Sequence, residues 1–214
     1  MANKPIIRET LNQYLHLVKQ ITNQTTNDKM EKELTDLILS NEKNYNAYNA
    51  LLQNQNEILK NLINDSAIIF VEEIIKVVAV RNNLKFDPTP DLFAGDQYSG
   101  VTLKSDLLKD LYIDIEFQDK NLESMLVACA ILEGQKTEIH KDLGQKLSLH
   151  FHNSIQEKHE KFISYVWKNS SDMTLLSSFN LKDLKFNREI IPQLIESLDS
   201  IIKRMLKVVE MEYL

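Results

Sequence analysis

The segment LYIDIEFQDKNLESMLVACAIL, residues 111–132, decides the fold. Leu111, Ile113, Ile115 and Phe117 alternate with Tyr112, Asp114, Glu116 and Gln118, a period of two that only a half-buried strand explains. The polar QDKN that follows can turn the chain back into a second strand, Leu122 to Leu132, apolar on both faces as a covered strand should be. Leu122, Met125, Leu126 and Cys129 also fit a helix, so periodicity alone leaves this second assignment open. Val101 and Leu103 show the same alternation upstream.

On either side the period lengthens to that of a helix. From Glu42 the apolar positions Tyr45, Tyr48, Leu52, Leu59, Leu62, Ile63, Val71, Ile74, Ile75 and Val78 describe one long helix or two end to end. Unbroken, it would span ~55 Å at 1.5 Å per residue, too long for a compact domain. Asn64, Asp65 and Ser66 are the natural place for a cap or bend. The helix should stop near Asn82-Asn83, ahead of DPTPD, where Pro88 and Pro90 hold the chain extended. Residues 136–150 favour a helix, and 162–167 fit a strand or a helix end. In the last segment Ile191, Ile195, Leu198, Ile202, Met205 and Val209 step by four and three, flanked by Ile190, Leu194, Ile201 and Leu206. That arc is wide; the domain's own core is the simpler occupant, another chain the alternative. Pro192 belongs in the first turn.

Glycine confirms the division. All four (Gly95, Gly100, Gly134 and Gly144) fall between residues 95 and 144. The expected fold is therefore α+β: N-terminal helices, a small antiparallel sheet, then C-terminal helices. Residues 1–83 form the helical front and 84–214 the α+β region, together one compact unit.

Composition narrows the function. A single cysteine, Cys129, excludes an internal disulfide framework and multi-cysteine zinc sites, and suits the cytoplasm. No leader-like opening and no run of 18 apolar residues argues for secretion or a membrane span. The net charge is −6 with acids and bases intermixed, so nothing in the charge indicates a nucleic-acid surface.

The opening stretch, Lys4 to Ile38, carries Ile7, Leu11, Tyr14, Leu15, Val18 and Ile21 at helical spacing, a polar TNQTTND break, then Met30, Leu34, Leu37 and Ile38. It reads as helix, connection, helix. Its phrase PIIRETLNQYLHLVKQITNQTTNDKM resembles the segment that follows the catalytic core in bacterial PD-(D/E)XK nucleases of the restriction or phage-defence type. The likeness continues weakly from Tyr98 onward. It implies a non-catalytic accessory module, for binding or assembly, with a protein partner or self-association and no cofactor. The expected nuclease core lies upstream in that family, whereas here Met1 stands three residues before the segment.

Two other functions compete. A compact metal-dependent nuclease would use Asp91 from Pro90-Asp91, with Asp114 and Glu116 holding the ion and Gln118 in the position of the family's lysine. Lys120 is near, but the QDK spacing lacks the acid. The plainer reading of Asp114, Glu116 and Gln118 is the solvated face of a strand. An inhibitor or immunity protein that binds a defence nuclease is also compatible with the acidic charge. His140, His150, His152 and His159 lack the HxxxH or HExxH spacing of zinc sites and read as solvated or capping residues. Phe162, Tyr165 and Trp167 could form a recognition surface, though core is the commoner use of such a cluster.

Overall fold

The computed structural model describes residues 28–119, 122–132, 134, 136–151, 161–167 and 179–213, with side chains from residue 32 onward. Contacts divide the chain into two compact units, Met1–Leu62 and Ile63–Leu214. The division falls inside a helix, Gln55–Ile69.

In the first unit, α1 (Asp28–Leu39) and α2 (Glu42–Gln53) form an antiparallel pair. The turn is tied by side chains. Asn41 caps α2 by accepting the Asn44 N–H at 2.9 Å, and the Asn44 amide donates to the Leu37 carbonyl at 2.9 Å. Ile38 and Tyr48 are buried between the helices, with Leu34, Tyr45 and Leu52 packed around them.

The helical run breaks at Asn54, not at Asn64–Ser66. The Asn54 side-chain amide takes the Ala50 carbonyl at 2.8 Å, competing with the helix's own bonding, and α3 (Gln55–Ile69) starts afresh. Asn64, Asp65 and Ser66 stay helical because tertiary partners satisfy two of them. Asp65 pairs with Lys185 at 2.6 Å, and the buried Ser66 hydroxyl donates to the Lys182 carbonyl at 3.3 Å. A π-helical segment, Phe70–Ile75, follows and passes directly into α4 (Lys76–Arg81). The wider turn lets Phe70, Val71, Ile74 and Ile75 all point inward. The helix ends as expected: Asn82 closes it and Asn83 takes the left-handed conformation at φ 53°.

The second unit is built on a five-stranded antiparallel meander in sequence order: β1 (Lys85–Pro88), β2 (Ser99–Lys104), β3 (Leu111–Phe117), β4 (Met125–Ile131) and β5 (Phe162–Trp167). The 162–167 stretch is thus a strand. Leu122 is not; it sits in the β3–β4 turn at φ 54°, and the Asp119 carboxylate holds that turn by accepting the N–H groups of Glu123 (3.0 Å) and Ser124 (2.8 Å). β4 is buried along its whole length. Between β1 and β2 lies a short helix, α5 (Pro90–Ala94); Pro90 occupies its first turn, where no N–H is needed.

One face of the sheet is the main core. Val101, Leu103, Ile113, Ile115, Phe117, Met125, Val127, Cys129 and Ile131 are essentially inaccessible. The Phe70 ring meets Phe117 edge-on at 5.6 Å and stacks on Phe179 at 6.3 Å, which places the π segment on this face. α6 (Glu138–His150) packs on β5, and α7 (Ile191–Glu212) packs on α4, α6 and the π segment. The wide apolar arc of α7 is buried within this unit: Leu194, Leu198, Ile201, Ile202, Met205, Val208 and Val209 all face inward, with Pro192 in the first turn. Buried Asp199 breaks that arc; it accepts from Asn82 at 2.8 Å and Lys203 at 2.7 Å, with Arg81 at 3.6 Å. Among the described residues no helix is long and apolar enough to cross a membrane.

Candidate functional site

The opposite face of the sheet carries the polar positions of β3. Antiparallel register lines residues up in rows across the strands. One row runs Asp87, Thr102, Asp114, Ala128, Tyr165; the next runs Gly100, Glu116, Leu126, Trp167. Ala128 and Leu126 of β4 thus separate a carboxylate wall on β3 from an aromatic wall on β5.

Asp114 is 9% exposed. Among the described residues its one hydrogen bond is long, from the Thr102 hydroxyl at 3.4 Å. Burial, reinforced by the charge of Glu116 and opposed by Thr102 and Lys161, pushes its carboxyl up to about 7. Burial also raises Glu116, against the Gln118 amide that donates to its carboxylate. Tyr112, beside them, is pushed up to about 12 by burial and by the charges of Asp114 and Glu116. These polar side chains do not form the freely solvated face that alternation suggested; they are at least half covered.

The metal constellation is not assembled. Asp91 lies exposed in the first turn of α5, and among the described residues no three His, Cys, Asp or Glu side chains gather as a metal site. Asp87, not Asp91, shares the row of Asp114. Gln118 spends its amide on Glu116 and so stands apart from the role of an activating cation. Lys120, His152 and His159 lie outside the described residues.

The aromatic trio is largely core. Phe162 and Tyr165 are buried and meet edge-on at 6.2 Å; Tyr165 and Trp167 meet at 5.8 Å, all packed with Leu126, Ala128 and Ala130. Trp167 alone among them keeps partial exposure.

One cluster had no sequence signal beyond a Thr-x-x-His spacing. Thr137 caps α6, and His140 returns the favour in a capping box, its Nδ1 accepting the Thr137 N–H at 3.0 Å. The ring proton therefore sits on Nε2, which donates to Asp110 Oδ2 at 3.2 Å. The Tyr213 hydroxyl completes the triangle, donating to Asp110 Oδ1 at 2.7 Å and standing 3.1 Å from His140 Nε2. Burial works against the charge of Asp110, but the bonds from Tyr213 and His140 hold its carboxyl below the usual range. The triangle ties the β2–β3 turn, the start of α6 and the end of α7, and acts as a structural knot. His150 ends α6, and its carbonyl accepts from the Arg204 guanidinium.

No protein-family model, no curated protein and no solved structure matches this chain.

Proposed function

We propose that this chain is a non-catalytic binding or assembly module of the PD-(D/E)XK nuclease type, serving restriction or phage defence by holding a protein partner. The observation that carries the reading is the surface of the first unit. Leu37 (58% exposed), Leu39 (47%) and Leu51 (40%) stand in solvent on α1 and α2, beside a small buried cluster of two residues and their neighbours. Large aliphatic side chains left in solvent on short helices are area that a protein partner would cover. The geometry of the sheet supports the same side: Asp91 does not share the row of Asp114, and among the described residues no three acidic, histidine or cysteine side chains gather as a metal site.

Hydrolysis is tested directly. The full chain incubated with supercoiled plasmid and Mg²⁺ or Mn²⁺ should leave the plasmid intact. Nicking that disappears in Asp114→Ala would establish the metal-dependent nuclease instead.

A further inference from the structure

The outer face of the sheet holds a carboxyl group in a place built for a neutral one. Asp114 is nine-tenths buried and, among the described residues, has one long hydroxyl contact and no cation within ion-pair distance. The groups that face it are known from each neighbouring strand. β2 offers Thr102 and, through it, Asp87 of β1; β3 itself offers Tyr112 and Glu116; β4 offers Ala128. β5 offers Tyr165, with Lys161 just ahead of that strand as a cation that acts on the site. Among the described residues Glu116 adds a like charge and Lys161 opposes it without an ion-pair contact, so a buried negative charge there is not compensated and instead stays protonated or draws water in.

We infer that Asp114 is a proton-operated switch of this face: the face packs closely while the carboxyl holds its proton and loosens when the proton leaves to solvent. The sign follows from linkage. The folded state holds this proton more tightly than the unfolded chain, so Asp114 removes stability as pH rises from the ordinary aspartate value to about 7, and nothing further above that. Loosening acts on the adjoining aromatic wall, because Leu126 of β4 lies between Glu116 and Trp167 in the next row. Trp167 is the only tryptophan in the chain, so the face carries its own reporter.

The test follows the Trp167 emission and the ¹³C signal of the Asp114 carboxyl in the full chain from pH 5 to 9. Both should move together with a midpoint at about 7. Asp114→Asn should leave the emission flat across that range, and Glu116→Gln should move the midpoint to lower pH by removing the like charge. Should Asp114→Asn fail to fold, the wild-type carboxyl signal and the Glu116→Gln displacement still decide. A carboxyl that titrates near the ordinary aspartate value, or an emission change that survives in Asp114→Asn, overturns the inference.

Discussion

Gly100 offers the sharpest test of how the sheet is held together. A Cβ at this position would stand 2.0 Å from the Ile115 carbonyl oxygen and 2.8 Å from the Glu116 Cα. Ordinary contact begins at 3.4 Å, so β2 must retreat from β3 by about 1.4 Å, because the obstruction is backbone and cannot rotate away. That retreat also strains two bonds of 2.9 Å, Gly100 N–H to the Thr89 hydroxyl and Thr89 N–H to the Gly100 carbonyl. Overpacking of this kind costs about 1–3 kcal/mol, and two weakened hydrogen bonds add roughly 1 kcal/mol each. Gly100→Ala should therefore destabilise by roughly 3–5 kcal/mol, which lowers Tm by about 10 °C in a chain of this size. Gly134→Ala is the control. Its Cβ meets nothing within 4 Å, and only its φ of +85° opposes the change, a cost of about 1–2 kcal/mol. Urea and thermal unfolding of both variants supply the comparison. A Gly100→Ala protein as stable as wild type, or no worse than Gly134→Ala, would refute the close approach of the two strands.

Acid should release the other end of the core. Burial opposes the charge of Asp199, but Lys203, Asn82 and Arg81 prevail and hold its carboxyl below the usual range, so the stability it supplies is present above the unfolded value and lost as pH falls through the folded one. Urea midpoints measured from pH 6 down to pH 3 should fall in wild type and fall less steeply in Asp199→Asn. Removing the Tyr213 hydroxyl (Tyr213→Phe) breaks its bond to Asp110 and its contact with His140; hydrogen exchange at the start of α6 should quicken, with about 1 kcal/mol lost overall.

The α+β architecture was legible because β3 is half covered and α7 is amphipathic, the two circumstances in which periodicity speaks plainly. It spoke less plainly where polar residues found distant partners. Asp65 and Ser66 looked like a helix break, yet Lys185 and the Lys182 carbonyl, more than 110 positions away, let them stay helical. Leu122 looked like the start of a strand because it is apolar and buried; the Asp119 side chain made it part of a turn. On the site, the acid pair of β3 was visible, but its row neighbour is Asp87, which register alone reveals, while the Pro-Asp pattern pointed to Asp91. The Asp110–His140–Tyr213 knot joins residues 30 and 73 positions apart and left no local trace beyond the cap at Thr137.

Association is the direct test of the proposed binding role, because a partner held there would cover the exposed leucines of α1 and α2. Light scattering on the full chain, alone and mixed with a PD-(D/E)XK nuclease core, should report a mass above that of one 24.9 kDa chain, and the excess should vanish when Leu37 and Leu51 are changed to lysine. A monomer in both samples, unaltered by those changes, would contradict the account.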